Sequence, residues 1–169
     1  VYQDGGYYNM ATVKRYSKES ASWEVVGAAG FSDGIASYTS IAVGSNNVPY
    51  VVYQDGGNYN KATVKWYKSS SSAWESAGAE GLSSGEADYT SIAIDKNNIP
   101  YIVYRDAGKS GKAVVKKYVF PNWELVGTEG FSAAASNYTS IAMDGNNIPY
   151  VVYQDGSVSN KATVKKYNS

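Results

Sequence analysis

Short runs of alternating hydrophobic and polar residues recur along the chain, separated by turn sequences. Residues 38–43 alternate Thr and Ile with small Ser and Ala, residues 49–55 are rich in Tyr and Val, and residues 61–67 alternate again. A fourth short run begins at a tryptophan and covers residues 74–78. Asn-Asn follows the first run and Asp-Gly the second, and both pairs are typical of hairpin turns. Because no long stretch has the helical period, the pattern predicts antiparallel strands.

These four runs form a unit that repeats along the chain. Equivalent aspartates follow one another at steps of 51, 51 and 49 residues: Asp4, Asp55, Asp106 and Asp155. The shorter step results from a deletion between the third and fourth runs, in a Ser- and Lys-rich connector that we expect to be an exposed loop. Residues 38–67 and 138–167 differ at only 8 of 30 positions. The units are therefore expected to fold alike.

Four antiparallel strands in a repeat of about 50 residues are typical of a β-propeller blade. The recurring Ser-Ile-Ala, Pro-Tyr-Val-Val-Tyr-x-Asp and Lys-Ala-Thr-Val runs, each set followed by a Trp, resemble bacterial-type β-propeller repeat proteins. The resemblance covers essentially the whole chain. It implies an all-β propeller of four-stranded antiparallel blades, with the small residues of the first strand near the axis. It implies no particular activity, because propellers serve as lectins, scaffolds and enzymes.

The chain holds about three and a half of these repeats. We predict one propeller domain over residues 1–169, made of these segments: a partial blade at 1–27, blades at 38–78 and 89–127, and a partial blade at 138–167. The chain begins within a second strand and ends after a third strand, so no ring with complete blades can close from one copy. We expect the array to be completed by a second copy, with a dimer favoured, or by the missing part of a longer chain.

Composition excludes several kinds of chemistry. Fifteen basic residues balance fifteen acidic ones, and the chain has neither cysteine nor histidine. Disulfides, thiolate or imidazole metal sites, cysteine nucleophiles and Ser-His-Asp triads are therefore excluded. The neutral net charge favours no nucleic-acid partner, and no apolar run reaches the roughly 18 residues of a membrane span. We expect no cofactor, no metal and no enzymatic activity, and the Tyr-, Ser-, Asn- and Gly-rich composition favours an extracellular or secreted protein.

Candidate ligand-binding residues lie at the end of the second strand and in the turn after it, where the repeats diverge most. They are Gln54, Asp55, Asn58, Tyr59, Arg105, Asp106, Gln154 and Asp155. A tyrosine ring offers a face for stacking on a sugar, and amides or carboxylates bind hydroxyl groups. A structural interpretation competes with this one, because Asp before Gly also caps a hairpin turn through backbone amides, and exposed turns diverge without any function.

Two other sets of repeated residues have structural explanations. The tryptophans are expected to pack between blades, where large aromatic side chains dominate the core, and they are Trp23, Trp74 and Trp123. One lysine position recurs in the third strand, and we expect these lysines to lie at a solvated strand edge: Lys14, Lys65, Lys116 and Lys165.

The acidic residues outside the repeated position predict no catalytic or metal site. Those of the loops are scattered and differ between repeats, so no pair suited to glycoside hydrolysis stands out among Asp33, Glu80, Glu86, Asp88 and Glu129. Asp95 and Asp144 precede Asn-Asn turns, where a calcium loop would also need a later bidentate Glu that the sequence lacks. Their position predicts turn chemistry.

The sequence therefore favours a non-enzymatic binding module with several equivalent sites, lectin-like and specific for carbohydrate. Near-identical blades suit this function because weak sites gain avidity when several engage one surface. The alternative is a structural or protein-interaction propeller without a small-molecule site. A pocket repeated between blades would favour the lectin, whereas flat faces with internally paired polar groups would favour the scaffold.

Overall fold

The computed structural model describes residues 1–167 and shows an all-β chain of fifteen strands. The first unit contains β1 (Tyr2–Asp4), β2 (Met10–Thr12), β3 (Lys14–Ser17) and β4 (Ser22–Val25). The second contains β5 (Ala36–Val43), β6 (Pro49–Asp55), β7 (Lys61–Lys68) and β8 (Ala73–Ser76). The third contains β9 (Ala87–Ile94), β10 (Pro100–Asp106), β11 (Lys112–Val119) and β12 (Asn122–Leu125). The fourth contains β13 (Ser136–Met143), β14 (Pro149–Asp155) and β15 (Lys161–Lys166).

The second and third units are four-stranded antiparallel sheets whose strands pair in chain order, β5-β6-β7-β8 and β9-β10-β11-β12. The fourth unit is the three-stranded sheet β13-β14-β15, and the first consists of the two pairs β1-β2 and β3-β4. The predicted strands are therefore confirmed, with three corrections. The third strand of the first unit, predicted as one strand, is divided at Val13 into β2 and β3. First strands begin about two residues earlier than predicted, at Ala36 in β5, and fourth strands end before the predicted glycine.

A bulge interrupts the first strand of the complete units. Ser37 pairs with Gln54 and Ser40 pairs with Val52, so two residues on β5 oppose one on β6. Tyr38, within the bulge, adopts a left-handed conformation with φ 50°. The same shift recurs in β9 and β13, because their sequences repeat that of β5.

The first strands of successive units pack against each other. The Thr90 hydroxyl donates to the Tyr38 carbonyl, and the Thr139 hydroxyl donates to the Tyr89 carbonyl at 2.5 Å. The Ser40 hydroxyl also accepts from the Ile92 amide at 3.3 Å. These side chains bond to backbone groups of a neighbouring sheet, so the small polar residues of the first strand join the units.

The hydrophobic core lies between neighbouring units. Between the first and second units, Val13 packs with Val51 and Tyr53, and Phe31 and Trp74 cover them. Two further clusters occupy the equivalent positions along the chain. Tyr and Val side chains on both faces of β6 and β10 are buried, so these second strands are covered on both sides as predicted. No helix in the described part of the chain is long and apolar enough to cross a lipid bilayer.

The tryptophans differ from one another in their packing. The indoles of Trp74 and Trp123 pack between units, whereas Trp23 is 65% exposed. The prediction of packing between units is thus confirmed for two tryptophans and wrong for Trp23. The reason is that the indole packs against the preceding unit, and in this structure none lies before the first unit.

Candidate functional site

The repeated aspartate ends the second strand and caps the turn that follows. The Asp55 carboxylate accepts from the Gly57 amide at 3.0 Å, and the Asp106 carboxylate accepts from the Gly108 amide at 2.9 Å. A short 3₁₀ turn follows each aspartate, as at Gly56–Asn58, and a left-handed residue such as Tyr59 ends it. The turn-capping interpretation of these aspartates is therefore confirmed.

The linkers between units fold over the same end of the sheets. The Ser83 hydroxyl accepts from the Ala62 amide at 3.1 Å and donates to the Gly85 carbonyl at 2.6 Å. The equivalent Ser32 and Ser132 bond in the same way. One serine per linker thus fixes the linker against the third strand, and it places linker side chains beside the repeated aspartates.

A polar bridge joins the second and third units near these turns. The Gln54 amide donates to one Asp88 carboxylate oxygen at 2.9 Å, and the Arg105 guanidinium lies 2.6 Å from the other oxygen. In the fourth unit, the Asn137 amide donates to the Gln154 side chain at 3.1 Å. The structure therefore brings two candidate residues, Gln54 and Arg105, together through Asp88, which the sequence analysis placed in no site.

Three tyrosines occupy equivalent positions in the first strands, and Tyr89 directly follows Asp88 of the bridge. Tyr38, Tyr89 and Tyr138 form a tyrosine ladder, with ring centroids separated by 5.0 and 4.8 Å. All three have φ between 50° and 52°. Burial raises the pKa of the Tyr89 hydroxyl, and the neighbouring Tyr138 and Tyr38 raise it further. Tyr38 and Tyr138 are exposed, so the ladder offers aromatic faces to solvent.

Bulky residues seldom adopt a left-handed backbone, and strained positions of this kind gather at functional sites. From the sequence these three tyrosines were assigned to no site. The sequence does contain a pattern that could have indicated this site, because a polar residue directly precedes the tyrosine in every first strand. These polar residues are Ser37, Asp88 and Asn137.

The turn residue Asn58 is the last residue of the 3₁₀ turn and Tyr59 ends that turn, so neither belongs to the ladder. The Tyr59 ring is 85% exposed, and Asn58 lies against Gly81 of the following linker. Their assignment to a ligand site stays a prediction, as does that of the other candidate residues.

Three carboxylates gather in the second unit, contrary to the expectation that the loop acids are scattered. Asp33, Asp55 and Glu80 form an acidic cluster in which one carboxylate oxygen of each lies within 4.8 Å of the others. Desolvation by burial raises the pKa of Asp55, and the nearby Asp33 and Glu80 add to the shift. The cluster escaped sequence analysis because its members come from two linkers and one turn.

A lysine of the third strand lies against this cluster. The Lys65 ammonium is 2.8 Å from an Asp33 oxygen and 3.7 Å from a Glu80 oxygen, and its side chain is 9% exposed. The prediction that these lysines lie at a solvated edge is therefore wrong for Lys65. It is also wrong for Lys116, which donates to the Leu82 carbonyl at 2.6 Å and whose pKa burial lowers. The linker over the strand end covers both side chains.

Comparison with known proteins bears on the fold. No family model and no curated protein sequence matches the chain. A fucose lectin from Kordia zhangzhouensis, in complex with methyl-fucoside, is 12% identical with a TM-score of 0.50, over 78% of this chain and 92% of the lectin chain.

Two glycoside hydrolases also resemble the structure. An exo-β-1,3-galactanase from Clostridium thermocellum is 13% identical with a TM-score of 0.56, over 98% of this chain and 41% of the galactanase chain. An endo-1,4-β-xylanase from Bacteroides thetaiotaomicron is 9% identical with a TM-score of 0.52, over 95% of this chain and 78% of the xylanase chain. At these identities the likeness concerns the fold alone, and it supports a repeated all-β architecture of small antiparallel sheets.

Proposed function

We propose that the chain is an array of β-propeller blades that binds carbohydrate without chemical turnover, through the tyrosine ladder and the polar residues beside it. The observation that carries the proposal is the ladder itself. Three tyrosines on successive first strands adopt the same left-handed conformation, their rings contact one another at interplanar angles of 55° and 47°, and two of them are exposed. Asp88 and Asn137, which hydrogen-bond to other polar side chains, directly precede Tyr89 and Tyr138 in the sequence. Asp88 and Arg105 are close enough to Tyr89 to act on the pKa of its hydroxyl.

This combination fits the chemistry of sugars. A pyranose ring has apolar C–H faces that stack on tyrosine, and its hydroxyls need donors and acceptors at fixed positions. The bridge from Gln54 through Asp88 to Arg105 holds such groups rigidly, which lowers the entropy lost on binding. Structural neighbours named as a fucose lectin, a galactanase and a xylanase add support at the level of the fold.

The test uses two matched substitutions. Tyr138 and Tyr59 are both exposed and have φ 52° and 54°, but only Tyr138 belongs to the ladder. Asn tolerates the left-handed conformation, so Tyr138→Asn and Tyr59→Asn remove a ring without new backbone strain. Binding of methyl-fucoside, β-1,3-galactan and β-1,4-xylan fragments is measured by calorimetry. We expect one class to bind, with affinity reduced about tenfold by Tyr138→Asn and unchanged by Tyr59→Asn.

Two results would overturn the proposal. Binding that Tyr59→Asn weakens and Tyr138→Asn leaves intact would move the site to the turn tips. Absence of binding to all three classes would favour the alternative, a structural or protein-interaction scaffold. Release of new reducing ends from the galactan or xylan would contradict the non-enzymatic part of the proposal alone.

A further inference from the structure

The acidic cluster carries more negative charge than its neighbours neutralise. With Asp33, Asp55 and Glu80 ionised, the Lys65 ammonium is the one cation within 4 Å of these carboxylates among the described residues, which leaves two negative charges in excess. The Ser76 hydroxyl donates to Glu80 at 2.5 Å but adds no charge. Like charges this close repel strongly in a partly buried site.

Two buried oxygen atoms at the cluster lack a hydrogen-bond partner among residues 1–167. One is the Asp55 Oδ2 atom, and the other is the hydroxyl of Tyr53, a residue that is 0% exposed. Tyr53 lies two residues before Asp55 on β6, so the two side chains share one face of the strand. The equivalent hydroxyls of Tyr104 and Tyr153 also lack a partner in the described part of the chain, whereas no other aspartate oxygen there is buried without one. Buried polar atoms normally find a partner, so the Asp55 oxygen marks a place where one belongs.

The third unit shows that the fold does not require this arrangement. There the linker amides of Ser84 and Gly85 donate to the two oxygens of Asp106 at 3.0 and 2.9 Å, and both oxygens are satisfied. Ser84 occupies the position of Asp33, since the two are 51 residues apart. The excess charge and the unpartnered carboxylate oxygen are therefore particular to the second unit.

We propose that the acidic cluster binds a calcium ion, with Asp33, Asp55 and Glu80 supplying carboxylate ligands. Hard divalent cations prefer carboxylate oxygens, and calcium accepts irregular geometry completed by water. The set contains no nitrogen or sulfur ligand that would favour zinc or copper. The Asp33 side chain is 58% exposed, so the ion can enter from solvent on that side.

Lys65 has an alternative acceptor when the ion binds. In the third and fourth units the equivalent lysines donate to linker carbonyls: Lys116 to Leu82 at 2.6 Å and Lys165 to Phe131 at 3.4 Å. The equivalent carbonyl in the second unit is that of Phe31, 51 residues before Leu82. The ammonium can move from Asp33 to this carbonyl, which leaves the carboxylates to the ion.

Terbium luminescence and thermal unfolding test the proposal. Terbium occupies calcium sites, and a tyrosine or tryptophan nearby sensitises its emission. We expect sensitised emission that calcium displaces, and a calcium-dependent rise in Tm. Asp33→Ser gives the second unit the serine of the third, so the variant is expected to fold while calcium affinity falls at least about tenfold. Glu19→Gln, an exposed acid elsewhere, removes the same charge and should leave binding unchanged.

Several outcomes would overturn the site. They are absence of both emission and a Tm rise at millimolar calcium, binding that Asp33→Ser leaves intact, and binding that Glu19→Gln weakens equally. Lys65→Met gives an independent measurement. If calcium binds as proposed, removing the ammonium preserves or strengthens binding, whereas loss of binding in this variant contradicts the proposal. Calorimetry with carbohydrate is a separate assay, so either proposal can fail alone.

Discussion

Trp74 donates from its indole nitrogen to the carbonyl of Val26 at 2.8 Å, and this bond joins the second unit to the first. The indole stacks on Phe31 with centroids 4.5 Å apart and an interplanar angle of 15°. Trp123 repeats the bond to the Ala77 carbonyl at 2.6 Å. Each interface between units that a tryptophan occupies thus combines a partly buried aromatic ring with one directed hydrogen bond.

Replacing Trp74 is expected to weaken the packing between the first and second units. Trp74→Phe removes the donor to Val26 and leaves a small cavity, so we expect the free energy of unfolding to fall by about 2 kcal/mol. Trp23→Phe is the control, because that ring is mostly exposed and should change stability by no more than about 0.5 kcal/mol. Urea unfolding of both variants decides the matter, and equal effects would contradict the assigned role of the hydrogen bond.

The expected second copy can be tested through the same residue. Trp23 is exposed, and a cavity of about 270 Å³ lies between the third and fourth units, lined by Val126, Phe131 and Val151 among others. Within the chain, Trp74 and Trp123 each pack against the preceding unit, so Trp23 of one copy can pack in the same way into this cavity of another copy. We therefore expect light scattering to give twice the mass of 18.2 kDa.

Substitution of the exposed indole supplies the control. Trp23→Ser should shift the mass towards one chain if Trp23 contributes to the contact between copies, whereas Trp66→Phe, at an internal position packed against the core, should not. A monomer of 18.2 kDa for the unaltered chain would rule out the second copy under the conditions measured and favour completion by a longer chain.

The pH dependence of stability should carry opposite contributions from two equivalent aspartates. Burial raises the pKa of Asp55 above its ordinary value of 3.8, so the folded state favours the protonated form. Its contribution is fully present below the ordinary value and is lost as pH rises through the folded pKa. For Asp155, hydrogen bonds from Ser157 lower the pKa, so its contribution is present above 3.8 and is lost as pH falls.

Two isosteric variants separate these contributions. Asp55→Asn should remove a decline in the free energy of unfolding that occurs as pH rises above about 3.8, and Asp155→Asn should remove a decline that occurs as pH falls below about 3.8. Urea unfolding in buffers without calcium measures both. The assignment of the shifts would be wrong if Asp55→Asn left the pH profile of the unaltered chain in place.

The sequence predicted features that depend on local spacing. The Asp-Gly turns, the four strands of a unit and the packing of Trp74 follow from alternation, turn chemistry and a period of about 50 residues. The acidic cluster and the covered Lys65 could not be predicted in the same way, since linkers far apart in sequence bring Asp33 and Glu80 together. The left-handed Tyr38 was also missed, because a bulky residue at positive φ is the conformation that sequence rules argue against.

Close contact between linker and turn gives a final prediction. A Cβ atom at Gly85 would lie 2.5 Å from the amide nitrogen of Gly108 and 3.0 Å from its Cα. Gly85→Ala must therefore push the linker away and weaken its bond to Asp106, which is 2.9 Å long. We expect a loss of about 2 kcal/mol in the free energy of unfolding.

The fourth unit provides the control for this substitution. Its linker carries Ala134 at the position of Gly85, and the facing residue is Ser157 in place of Gly108. The linker of the fourth unit thus accommodates a methyl group, and its backbone amides do not donate the two hydrogen bonds to Asp155 that the amides of Ser84 and Gly85 donate to Asp106. Ala134→Gly should change stability by less than about 1 kcal/mol. If urea unfolding showed Gly85→Ala to be equally mild, the linker would have room to move, and its amides would not fix the carboxylate of Asp106.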